Sequence, residues 1–265
     1  MSKTNFEFKR CYPDANEFKD VIKVKSLDDW GIEYIQLSDT IGYWMAENPF
    51  YENGFELYKQ LVSNFPIVKD TNKPNCTDAN PFASIHLPEW CCIDVFLLMK
   101  SYFDRIFPSY MHIQFSEWGN LYFKDEARPY DYFRLPHCDG PNGVVSNLWF
   151  TDHPEDESGT ILYQYHGKII KGPDKKLYFD YQCDKDHPLF EECKNLSLNK
   201  KRLEHWNPLT IEEEEYWGFE RLGIAPSKNG MMTLYNTEVP HSPFISTQCE
   251  FRWSHAYSIN YEPFL

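Results

Sequence analysis

"FRWSHAYSINY", residues 251–261, alternates along its length: one side of the pattern reads Arg252, Ser254, Ala256, Ser258 and the other Phe251, Trp253, His255, Tyr257. Successive side chains of a β-strand point to opposite faces, so this segment reads as a strand with one bulky face and one small, polar face. Small residues beside an arginine leave space inside a barrel, and a guanidinium grips a carboxylate through two parallel hydrogen bonds. An ordinary ion pair with one of the chain's many acidic side chains is the bland alternative. What stands upstream decides between them.

The same period of two begins at about Tyr110. "MHIQFSEWGNLYF", "VVSNLWFTD", "GTILYQYHGKII", "KKLYFDYQ" and "GMMTLYNTEV" are aromatic and β-branched, with turn residues between them, and "GPDK" at 172–175 is a hairpin turn. Many short strands point to a sandwich or barrel of jelly-roll type, a mainly β domain with flanking helices. The first third reads mainly helical. "NGFELYKQLVSNFP" (53–66) and "PEWCCIDVFLLMKSYFDRIFP" (88–108) carry apolar residues at helical spacing and end at proline. The expected organisation is a helical buttress over 1–109, packed outside a jelly-roll core over 110–265. "LTIEEEEYWGFERLG" (209–223) opens with a capping box, Thr210 to Glu213, and reads as a helix within the strands. Its four consecutive glutamates read as a solvated face favoured by the helix N-terminus, with no chemistry assigned to them.

Acidic side chains outnumber basic ones by 40 to 26, a net charge of −14, which argues against a nucleic-acid partner because such binding needs a basic footprint. No signal-peptide run opens the chain. The greasiest window, "WCCIDVFLLM" at 90–99, is too short to span a bilayer and contains Asp94, so no membrane partner is expected. The eight cysteines include no C-x-x-C pair, which favours reduced thiols and a cytoplasmic location.

The candidate chemistry starts at "RLPHCDGPNG", 134–143. His137 and Asp139 are two apart, so on a strand an imidazole and a carboxylate aim at one point while Cys138 faces away. Taken alone the pair is a common accident. "EVPHSPF", 238–244, sets His241 between Pro240 and Pro243 on a backbone of little freedom, which suits a ligand that must be held still. Two histidines and one carboxylate form the facial triad of non-haem Fe(II) oxygenases, with coordination positions left open. Arg252 follows His241 by eleven positions (252 − 241), and "GNLYF" places Asn120 and Tyr122 on one strand face ahead of His137. "TDHPEDE" offers a competing pair, His153 and Glu155, but Pro154 disrupts a strand there. The remaining histidines read as structural or surface residues, and the tryptophans as core.

The ordered set Asn-x-Tyr, His-x-Asp, His, Arg-x-Ser resembles the iron(II)/2-oxoglutarate-dependent dioxygenases, enzymes with a double-stranded β-helix core, over roughly residues 111–261. The resemblance implies that His137, Asp139 and His241 bind Fe(II). It implies that Arg252, Ser254 and Tyr122 hold the distal carboxylate of 2-oxoglutarate, with Asn120 near its metal-bound end. No catalytic residue beyond the metal ligands is implied. "SGTILYQY" is similar to the Gly-Thr strand of these barrels. The segment 167–229 departs from a minimal core and is expected to form a lid or substrate-recognition insert. The implied reaction takes O2, releases succinate and CO2, and hydroxylates an unactivated C–H bond. A carboxylate at Asp139, where the related halogenases have a small residue, favours hydroxylation.

Two other readings stand beside this one: a non-catalytic jelly roll with a structural metal or none, and a cupin-type metal protein that does not use 2-oxoglutarate. A carboxylate anchor such as Arg252 has no use in the first, and only His137 lies on the first ligand strand, where cupins often offer several histidines. G-x-S-x-G, P-loop and Rossmann fingerprints are absent. The expected substrate is a small molecule or an amino-acid or peptide side chain. The acidic chain leans toward a cationic one.

Overall fold

The computed structural model describes residues 23–51, 53–63, 67–69, 83–86, 118–123, 135–141, 143–150, 158–174, 176–199, 209–244 and 251–260. Its strands are β1 (Glu33–Gln36), β2 (Gly42–Ala46), β3 (Ile67–Lys69), β4 (Ala83–His86), β5 (Trp118–Phe123), β6 (Gly143–Phe150), β7 (Gly159–Tyr165), β8 (Ile169–Lys171), β9 (Leu177–Phe179), β10 (Phe219–Pro226), β11 (Met232–Asn236), β12 (His241–Phe244) and β13 (Phe251–Asn260). The helices are α1 (Gly54–Ser63), α2 (Asp180–Cys183), α3 (Phe190–Asn199) and α4 (Ile211–Tyr216).

The strands form a larger sheet ordered β1-β2-β11-β6-β13-β5-β4-β3 and a smaller one ordered β10-β7-β12, and every pairing is antiparallel. Residues 137–139 lie alongside β12 through a bridge from His137 to His241, extending the smaller sheet. From β5 to β13 the chain alternates between the sheets, except that β7 and β10 follow one another within the smaller one, so β5, β13, β6 and β11 face residues 137–139, β12, β7 and β10. This winding is the double-stranded β-helix, a jelly roll.

The sheets meet through Tyr43 and Tyr235 of the larger one and Leu162 and Ala225 of the smaller, joined by Ile41 and Val239. Period-two alternation then puts Ile161, Tyr163 and Tyr165 on the outer face of β7, away from Leu162. Phe179, Tyr181, Cys193 and Trp217 pack there with Phe219. The rings of Tyr165 and Phe179 stand 4.6 Å apart, and those of Tyr181 and Trp217 5.2 Å apart. The described residues from β8 to α4 thus build a third layer behind the smaller sheet.

Several expectations change here. The described residues of the first third hold β1 to β4, a short 3-10 helix (Leu27–Asp29) and a single α-helix, α1, and the strands extend the larger sheet at both edges. These strands are three to five residues long, too short to show a period against their surroundings. The helix read at 88–108 lies outside the described residues. α1 matches its expectation: Phe55 and Tyr58 are buried, and Tyr58 packs on Phe50 at 4.8 Å. Within the expected insert, residues 219–226 form β10, a core strand paired along β7. The remaining described part of that insert covers the outer face of the smaller sheet, so it is a back layer rather than a cover over the interior. The 172–175 turn does join a hairpin, β8 to β9. Among the described residues, no helix is long and apolar enough to cross a membrane.

Candidate metal centre

Two segments a hundred residues apart build the site. The His137 N–H donates to the His241 carbonyl and the His241 N–H to the His137 carbonyl, both at 2.9 Å, and the Asp139 N–H donates to the Thr237 carbonyl at 3.0 Å. A reciprocal bonded pair of an antiparallel ladder puts its two side chains on the same face. His241 in turn lies opposite Leu162, whose side chain is in the core between the sheets, so the imidazoles face inward. The imidazole rings lie 4.4 Å apart. Asp139 reaches both, with Oδ1 3.5 Å from His137 Nε2 and Oδ2 3.4 Å from His241 Nε2.

One ligand atom from each of the three residues fits within a span of 4.8 Å. The His241 Nδ1 lies 2.9 Å from the Val239 carbonyl, an acceptor only, so Nδ1 carries the proton and donates it. Nε2 is thereby turned toward Asp139, where it donates to the carboxylate in the imidazolium form and would offer its lone pair to a metal once deprotonated, the orientation that a metal-binding histidine needs. His241 is buried, whereas the side chains of His137 and Asp139 are 56% and 39% exposed, so the site opens on their side. Burial alone would raise the pKa of Asp139. The His241 charge, hydrogen bonds from both imidazoles and the His137 charge outweigh it and hold the carboxyl well below the usual carboxylate range. For His241, burial lowers the pKa, and the Asp139 charge and hydrogen bond with the Val239 carbonyl overcome it and raise it. A divalent cation would satisfy the same carboxylate and leave both imidazoles neutral, so the donor set fits the metal. Its two nitrogens and one oxygen suit Fe(II).

Cys138 is not part of this set. Its Sγ donates to the Glu238 carbonyl at 3.2 Å, and burial, followed by the Asp139 and Glu238 charges, pushes the thiol up to about 12. It packs against the outer cluster, facing away as its place between two ligands requires.

The four carboxylate-binding candidates come together in register. Arg252 lies directly opposite Tyr122, and Ser254 opposite Asn120. Ser254 also pairs with Trp149, Ala256 with Asn147, and Asn147 with Thr233. Tyr235, two residues from Thr233, touches His241. The positions of Arg252 and Ser254 therefore lie on the face of the larger sheet that looks toward the triad. His153 and Glu155 lie outside the described residues. His166 makes an exposed ion pair with Glu220 at 3.1 Å. Trp149 and Trp217 are core, as expected.

Two features escaped the sequence. Tyr235 packs against the His241 imidazole, and only its phase in "MMTLYNT" hinted at an inward position. Glu214, one of the four glutamates read as solvated, is 1% exposed. It accepts from Arg221 Nε at 3.1 Å, Arg221 Nη2 at 2.6 Å and the Tyr163 hydroxyl at 3.0 Å. That hydroxyl also lies 3.0 Å from Ser242 Oγ, next to His241. The capping box of α4 forms as read, and its geometry turns Glu214 inward while Glu213 caps.

No protein-family model matches the sequence, and no curated protein matches it. Two solved structures of HygX from Streptomyces hygroscopicus align over 84% of this chain and 84% of theirs. One, with nickel, 2-oxoglutarate and hygromycin B bound, gives 12% identity and a TM-score of 0.42. The other, with nickel and 2-oxoglutarate bound, gives 11% and 0.44.

Proposed function

We propose that this chain is an Fe(II)- and 2-oxoglutarate-dependent oxygenase that hydroxylates an unactivated C–H bond of a small molecule or of an amino-acid or peptide side chain. The observation that carries this reading is the convergence of His137, Asp139 and His241 donor atoms within 4.8 Å on the inner face of a jelly roll. When bound, iron(II) and 2-oxoglutarate supply the coupling of O2 reduction to decarboxylation that inserts one oxygen atom into the substrate.

The chain's own residues supply the geometry. His241 is held by Val239 and Tyr235, and Asp139 stays ionised between two imidazoles. Arg252, with Ser254 and Tyr122, is assigned to the distal carboxylate, and Asn120 to the region nearer the metal. The exposed side of His137 and Asp139 is the approach for substrate, and the acidic chain favours a cationic one.

The test is anaerobic titration of the full chain with Fe(II) and 2-oxoglutarate, followed by the weak visible band of the complex. The band should appear in the native protein, vanish in His241→Ala, and need at least tenfold more 2-oxoglutarate in Arg252→Ala, since a charge-assisted hydrogen bond contributes about 1.5–3 kcal/mol. A native chain that binds Fe(II) but gives no band sinks the reading.

A further inference from the structure

We propose that Tyr163 is a positioning residue for the ligand candidate His241, gripping both of its chain neighbours from the outer face of the smaller sheet and anchored there by Glu214; this rests on the metal centre of the function proposed above.

The need for such a grip arises in the sequence. His241 lies in "VPHSPF" (239–244), where neither Pro240 nor Pro243 has an N–H to give to a neighbouring strand. β12 is only four residues long. A segment so poor in main-chain donors needs other ties if the imidazole it carries is to be held still.

Tyr163 supplies two of them. The register sets Leu162 opposite His241, which brings Tyr163 beside Pro240. The Tyr163 N–H donates to the Pro240 carbonyl at 2.9 Å, a bond that proline cannot return. The Tyr163 hydroxyl lies 3.0 Å from Ser242 Oγ, on the other side of His241 in the chain. One residue thus holds positions 240 and 242, and the imidazole between them points to the opposite face.

The far end of this grip is fixed as well. Glu214 Oε1, paired with Arg221 at 2.6 Å, accepts the Tyr163 hydroxyl proton at 3.0 Å. That leaves the phenol oxygen as the acceptor for Ser242, so the chain Ser242 to Tyr163 to Glu214 has a single proton order. All three residues are buried, where hydrogen bonds meet no competition from water. Glu214 stands on α4 and Arg221 on β10, so the back layer and the sheet together set where the phenol sits.

The experiment titrates the full chain with Co(II), which takes the same nitrogen and oxygen donors and reports their geometry in its visible spectrum. Native protein, Tyr163→Phe, Ser242→Ala and the double variant are compared, with urea midpoints in parallel. Tyr163→Phe keeps the ring beside Phe219 and removes only the hydroxyl. It should weaken Co(II) about tenfold and alter the spectrum. Ser242→Ala leaves Glu214 with both of its partners, is therefore the safer fold, and should do the same. The double variant should bind no more weakly than the weaker single one, because the two changes break one link. Native affinity and spectrum in either single variant overturns the assignment, whatever the urea midpoint does, and so do additive losses in the double variant. A native chain that takes up no Co(II), or takes it up equally well as His241→Ala, overturns the metal centre and this assignment together.

Discussion

The ring of Tyr235 lies 4.8 Å from the imidazole of His241, tilted by 59°, although the two residues stand on opposite sheets. A buried aromatic ring is thus the back wall for a metal-ligand candidate. Tyr235→Ala should cost about 3–5 kcal/mol of stability in urea unfolding, the range for emptying an aromatic core site. It should also weaken metal binding roughly tenfold by freeing the imidazole. Tyr235→Phe keeps the wall and should retain native metal affinity.

The Glu214–Arg221 pair makes an asymmetric prediction. The Glu214 side chain is 2% exposed and that of Arg221 31%. Arg221→Met strands a buried carboxylate and should cost about 3–5 kcal/mol. Glu214→Met leaves a guanidinium that still reaches water and the Leu209 carbonyl, so it should cost visibly less. Urea unfolding of the two variants checks the order, and equal losses would contradict it.

Asp180 ties the back layer to β7. Burial would raise its pKa, but hydrogen bonds from the Tyr165 hydroxyl and from the Lys168 and Tyr181 amides, with the His187 charge, lower it. A carboxyl depressed in the folded state stabilises above its unfolded pKa of about 3.9, and that contribution disappears as pH falls through the folded value. Stability measured from pH 6 downward should fall less steeply in Asp180→Asn than in the native chain.

At the start of β7, a Cβ added to Gly159 would stand 2.4 Å from the Ala225 carbonyl oxygen on the paired strand. Backbone cannot yield as a side-chain tip can. Gly159→Ala should therefore destabilise by about 1–3 kcal/mol, read as a lower urea midpoint.

Metal should act as a stabilising ligand of the folded chain. At free metal one hundred times the dissociation constant, unfolding should require about 2.7 kcal/mol more. A chelator should remove that increment, and Asp139→Ala should never show it.

The triad was legible because strand alternation is strict: His137 and Asp139 share a face, and Cys138 does not. The alternation of β13 also set Arg252 and Ser254 in one phase, and the register with β5 pairs Arg252 with Tyr122 and Ser254 with Asn120. Burial of Glu214 was not. Its partners Tyr163 and Arg221 sit on two different strands, and a run of like charges says nothing about which member a helix turns inward. The placement of the back layer was equally hidden. Phe179, Tyr181 and Trp217 announce burial, but either side of the smaller sheet would have satisfied them. β1 and β2 were missed because four or five residues carry too little pattern to compete with the helical signal beside them.

The paired backbone bonds between residues 137 and 241 hold the two ligand segments through main-chain atoms alone. The three candidate ligands are therefore brought together by sheet formation itself. A preparation stripped by chelation should keep its shape, exchange one divalent ion for another through the open flank at His137, and regain its full complement on reloading without a cycle of unfolding.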